Sequence, residues 1–138
     1  MVEFKRIIIP VDNTEDSKNA VEQGALLAKL LKIKAKIITV NDTHQFISSV
    51  VLEEKLKKDA SAFMEELKKI GEKIGVQLET ELIIGKPAEE IVKFVNNNDL
   101  IIMAHHDRTK GIDRFMEESV SREVVRNAPC SVLVVKDK

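Results

Sequence analysis

The chain has 138 residues, 43% hydrophobic and 33% charged, which suffices for one packed core under a charged surface and leaves too little for a second. Lys and Arg number 22 against 23 Asp and Glu, a net charge of −1, which argues against a nucleic-acid binder that relies on bulk positive charge. With no Trp, no Tyr and one cysteine, Cys130, the chain lacks a base-stacking platform, an intrachain disulfide and a Cys-rich metal site.

Met1 to Arg6 contains no signal-type apolar region, and no apolar run approaches the roughly 20 residues that span a bilayer. A soluble cytoplasmic protein with a single domain over 1–138 is expected. Ile7-Ile8-Ile9-Pro10-Val11 is β-branched and continuous, the pattern of a strand buried on both faces and ending at Asp12. A polar loop follows, in which Thr14 or Ser17 is placed to cap a helix. Ala20, Gly24, Leu27 and Leu31 then recur at helical spacing. Ala35 to Val40 is a second apolar strand, and Asn41 to Ser49 is polar and irregular.

Leu52, Leu56, Ala60, Phe63, Leu67, Ile70 and Ile74 form the firmest helical stripe in the chain. Its other face carries Glu53–Lys57, Glu54–Lys58 and Glu65–Lys69 at i,i+4, the signature of a solvated face, and Gly75 ends it. Leu78 to Ile84 alternates apolar residues with Glu79 and Glu81, which suits a half-wet edge strand. Gly85-Lys86-Pro87 turns the chain into a short helix through Ile91, Val92 and Val95 to Asn96-Asn97-Asn98. Leu100 to Met103 is a fourth strand, and Ala104 to Glu118 lacks a clear period. Val120, Val124 and Val125 mark a last helix closed by Ala128-Pro129, and Ser131 to Val135 is a fifth strand.

Strict alternation of strands and helices predicts an α/β fold: a parallel sheet with helices on both faces. Ligands of such sheets sit outside the carboxyl ends of the strands, at the topological switch point. The segments to search are therefore Pro10 to Ser17, Val40 to His44, Gly85 to Pro87 and Ala104 to Ser119.

Four phrases occur in order along the chain: Ile8-Ile9-Pro10-Val11-Asp12, Gly85-x-Pro87-Ala88-Glu89-Glu90-Ile91, Asp99 to Met103, and Ser119-Val120 leading to Arg126 through Val135. Together they resemble the universal stress protein family over nearly the whole chain. The resemblance implies a single three-layer domain of the adenine nucleotide alpha hydrolase-like type. Its sheet has five strands in the order 3-2-1-4-5, and the protein is usually a dimer. The ATP-binding members carry Gly-x-x-Gly, nine residues, then Gly-Ser/Thr after strand four. Those glycines let backbone N–H groups reach phosphate oxygens, and the final pair opens a helix toward the anion.

In this chain Ala104 stands for the first glycine, Asp107 for the second and Glu118 for the third; the spacer Arg108 to Glu117 is one residue longer than the pattern, and only Ser119 matches. His106 also matches a residue often found between the first two glycines. Asp107 and Glu118 put negative charge where a triphosphate would lie, and two like charges about 4 Å apart cost roughly 1 kcal/mol even in water. Weak or absent ATP binding in the usual mode is expected. Pro10, Val11 and Asp12 match family positions beside adenine and ribose, and Val40 the residue lining the base, so the adenosine half is better preserved. No resident cofactor is expected; an adenine nucleotide with Mg²⁺ is the alternative.

Adjacent residues leaving a strand point apart, so His105 and His106 do not chelate together; no metal site is expected, although His44, one of the pair and Asp107 lie on neighbouring strand-end loops. Cys130 reads as a buried, inert thiol. Ser119 has no nucleophile elbow around it, and no feature argues for turnover. Strand five is wholly apolar from Val132 to Val135, yet the implied order places it at a sheet edge. Pairing with the same strand of a second copy, through Ser131–Val135, resolves that conflict. The expected function is a stress-response regulatory module that binds a partner or small ligand, not nucleic acid or membrane. The alternatives are an adenine-nucleotide-binding member with an altered phosphate grip and a slow nucleotide hydrolase.

Overall fold

Each β-branched run becomes a strand, and each apolar stripe becomes the inner face of a helix. The computed structural model describes residues 3–12, 14–42, 50–105 and 118–136. In chain order the elements are β1 (Arg6–Val11), α1 (Asp16–Leu31), β2 (Lys34–Asn41), α2 (Val50–Ile74), β3 (Glu79–Ile84), α3 (Pro87–Phe94), β4 (Asp99–Ala104), α4 (Glu118–Asn127) and β5 (Ser131–Val135). All strand pairs are parallel and the sheet order is β3-β2-β1-β4-β5. This is the architecture the resemblance implies.

The central strands are apolar on both sides because both sides are covered. On one face Ile7, Ile9, Ile37 and Ile102 pack with Val21 and Ala25 of α1 and with Met64 and Leu67 of α2. On the other, Ile8, Ile38, Ile101 and Met103 pack with Ile91 of α3 and Val124 of α4. Burying one such Ile or Leu side chain contributes about 1.5–3 kcal/mol. α1 lies unusually close to the sheet. A Cβ at Gly24 would stand 2.5 Å from Ile9 Cδ1 and 2.9 Å from Ile9 Cγ1. Gly75, at φ 99°, makes the left-handed turn that closes α2, and its N–H bonds the Gly71 carbonyl at 2.9 Å.

Three local expectations are corrected. Neither Thr14 nor Ser17 caps α1: Glu15 occupies the N-cap without a side-chain cap bond, because both hydroxyls turn back to Asp12. α3 stops at Phe94 rather than running to the asparagines. Val95 is extended, and the Asn96 N–H is taken by the Asp99 carboxylate at 2.7 Å. On α2, Glu65 pairs with Lys68 at 3.6 Å instead of with Lys69, a contact between mostly exposed groups that adds little. Cys130 is half-buried, and burial pushes its thiol pKa up, in the direction of low reactivity.

The two sheet edges differ. β3 carries Glu79 and Glu81, the latter paired with Lys36 at 2.7 Å. β5 offers only Ser131 and four aliphatic residues, with Leu133 40% exposed. A charged edge resists further pairing, and an apolar one invites it.

Candidate functional site at the carboxyl ends of the strands

The strand order reverses at β1, which has β2 on one side and β4 on the other. Against β2 the ladder runs the full length of β1, to Val11 opposite Thr39. Against β4 it runs only from Arg6 opposite Asp99 to Ile8 opposite Ile101. β1 continues to Val11 and β4 to Ala104, so these two strands part at their carboxyl ends. That parting is the crevice in which ligands of open parallel sheets sit.

Asp12 stands at its mouth and is 2% exposed. Its Oδ1 accepts the Thr14 backbone N–H at 3.1 Å, the Thr14 hydroxyl, and the Ser17 hydroxyl at 2.9 Å. The Ser17 Oγ in turn accepts the Asp12 backbone N–H at 3.1 Å. A charged acceptor with several donors suits a buried carboxylate, because an unsatisfied one would cost several kcal/mol. The Asp-x-Thr-x-x-Ser spacing was readable as an Asx-type turn, the signal that assigning the hydroxyls to a helix cap missed. Thr39, absent from the expected set, donates its hydroxyl to the Val11 carbonyl at 3.2 Å and ties the end of β2 to the end of β1.

Pro10, Val11 and Asp12 at the end of β1, Val40 in β2 and Ala104 at the end of β4 all lie at this end of the sheet. They do not form one wall. Val11 and Ala104 belong to the core on the α1 and α2 side, and Val40 to the core on the α3 and α4 side. Ala104, at the position of the first motif glycine, is 5% exposed. His105 follows β4, and its N–H bonds the Val135 carbonyl of β5 at 2.7 Å. His44, His106 and Asp107 lie outside the described residues. Glu118 and Ser119 are the first two residues of α4, and their side chains lie outside the described set as well. Among the described residues, no group of three His, Cys, Asp or Glu is arranged to hold a metal ion, and no helix is long and apolar enough to cross a membrane.

The model of the Universal stress protein family matches residues 3–136. Universal stress protein MJ0531 of Methanocaldococcus jannaschii is 35% identical over 141 residues, covering 96% of this chain and 82% of that protein. The solved structure of hypothetical protein MJ0577 superposes with a TM-score of 0.78 at 31% identity, covering 99% of both chains. A universal stress protein from Archaeoglobus fulgidus, solved in complex with dAMP, shares the fold at 18% identity, with a TM-score of 0.70, 99% of this chain and 100% of that one covered. Family match, curated relative and superposition agree over nearly the whole length: the chain belongs to the universal stress protein family.

Proposed function

We propose that this member acts as a dimeric regulatory module that binds at the β1–β4 crevice without turnover, and that it holds ATP weakly or not at all in the usual mode. The observation that carries the reading is the parting of β1 and β4 beyond Ile8 and Ile101 beside the buried Asp12; the sequence supports it, because Ala104, Asp107 and Glu118 stand where the motif has glycines. The crevice supplies a ligand site; the substitutions remove the backbone donors' access to a triphosphate and add negative charge. The exposed aliphatic edge of β5 supports pairing of Ser131–Val135 with the same strand of a second copy.

A second reading has its own support. The adenosine-side positions Pro10, Val11, Asp12 and Val40 are all retained at the carboxyl end of the sheet, and a protein of the same fold was solved with dAMP. In that reading an adenine mononucleotide is the ligand.

Calorimetric titration with ATP and AMP, with and without Mg²⁺, separates the two. No heat with either supports the lead reading. Heat with AMP alone, abolished by Asp12→Ala, assigns the mononucleotide. Micromolar ATP binding overturns the charge argument, and phosphate release that tracks Asp12 and Ser119 would make the chain a hydrolase. Sedimentation of the wild type against Leu133→Lys tests the dimer, which the variant should dissociate.

A further inference from the structure

A second concave site lies at the opposite end of the sheet, where the strands begin. α1 ends in a left-handed residue, Lys32 (φ 59°), whose N–H bonds the Ala28 carbonyl, and only Ile33 separates it from β2. α2 ends at Gly75 and turns into β3. The two tight exits border an open cleft of about 900 Å³ lined by Lys29, Lys32, Lys34 and Lys68, with Ala35 and Val76 among its apolar residues and, among the described residues, Glu79 as its one acid. That volume is within the roughly 300–1,000 Å³ of ordinary small-ligand sites.

The lysines are not all accounted for by the fold. Lys36 also borders the cleft, but it is committed to Glu81 and to the face of Phe94. Lys29 donates to the Ile74 carbonyl at 2.9 Å and so caps the negative end of α2, yet its charge meets no carboxylate there. Among the described residues, Lys68 is held only by the 3.6 Å contact to Glu65. The side chains of Lys32 and Lys34 have neither an ion-pair nor a hydrogen-bond partner among the described residues. Four cations thus converge from α1, β2 and α2 on one cleft, in a chain whose net charge is −1. None of them is an arginine. Lysine is a compact point charge with three freely rotating donors, suited to a flexible run of phosphates rather than to the planar two-point grip that guanidinium gives a carboxylate.

We infer that this cleft binds an oligophosphate, an anion with two or more linked phosphate groups, independently of the crevice at the carboxyl ends. It does not depend on the reading proposed for that crevice.

The probe is inorganic tripolyphosphate, titrated into the full chain at low and at physiological salt. Backbone amide shifts are expected in residues 28–36 and 75–80, with affinity falling as salt rises. The double variant Lys32→Gln/Lys34→Gln should bind roughly tenfold more weakly, the scale of two partly solvated charge contacts. Both residues are exposed, and unchanged circular dichroism verifies that the variant is folded. Asp12→Ala should leave this binding intact, which separates the cleft from the crevice. Shifts confined to the carboxyl end, equal affinity in the lysine variant, or tighter binding of hexaglutamate than of tripolyphosphate would each overturn the inference.

Discussion

Gly24 gives the sharpest test of how the helices seat on the sheet. Replacing it with alanine places a Cβ 2.5 Å from Ile9 Cδ1, where carbon atoms prefer about 3.5–4.0 Å. The shortfall is near 1 Å, and Ile9 is fully buried, so its side chain has no solvent into which to move. Overpacking of this kind costs about 1–3 kcal/mol. Alanine recovers about 0.5–1 kcal/mol of helix propensity over glycine. Taking the middle of each range, the net expectation is destabilisation of about 1 kcal/mol, and in a domain of this size a Tm lower by roughly 3–6 °C. With no Trp or Tyr for fluorescence, the assay is urea unfolding followed by circular dichroism at the helix band. A double-mutant cycle sharpens it. Ile9→Val alone should cost about 0.5–1.5 kcal/mol, and clearly less when Gly24→Ala is present, because it removes the clashing Cδ1. A Gly24→Ala protein as stable as the wild type, or a cycle with additive effects, would refute close seating of α1.

The Arg6 guanidinium bonds both carboxylate oxygens of Asp99 at 2.9 and 2.7 Å, and the Asp99 side chain is 3% exposed against 30% for Arg6. Arg6→Met should therefore destabilise by about 2 kcal/mol in urea, below the 3–5 kcal/mol of a wholly buried pair because the arginine is partly hydrated. Asp12→Ala strands the Thr14 and Ser17 donors and should cost about 1–3 kcal/mol in the same assay, whereas Asp12→Asn, which keeps the acceptor, should cost less. Cys130, its thiol pKa raised by burial, should react with iodoacetamide at neutral pH more slowly than the same residue in urea. The sign for stability follows: the folded state holds the thiol proton more tightly than the unfolded chain, so this contribution is complete below the unfolded pKa and fades as pH rises through the folded one.

Strands and helices were legible because burial on two faces leaves an unbroken β-branched run, as in Ile7-Ile8-Ile9, and burial on one face leaves a helical stripe, as from Ala60 to Ile74. The misread local details share a cause. α3 stops early because Asp99, only three residues beyond Asn96, takes the Asn96 amide from a position fixed by Arg6, which lies 93 residues away. Thr14 and Ser17 are good caps by local preference, but the carboxylate they turn to is buried only once β1 is in the sheet. At the candidate site, the crevice itself was predictable from strand order, while the separation of Val40 from Val11 and Ala104 onto opposite faces depends on register. The lysine cleft was invisible for the same reason: its cations come from segments joined only by the tertiary fold.

The place of β1 between both halves of the sheet also sets an order of assembly. A growing chain completes β1, β2 and β3 first, and their contacts are comparatively near in sequence, such as the 28 residues between Val11 and Thr39. β4 must arrive on the other side of β1, across the 93 residues from Arg6 to Asp99. The longer closure adds only about 1 kcal/mol of loop entropy, but until it is made one edge of Ile7-Ile8-Ile9 has no partner. A fragment that stops short of Asp99 therefore exposes an edge of the buried Ile7-Ile8-Ile9 run, and a nascent or truncated chain of that length is prone to aggregate.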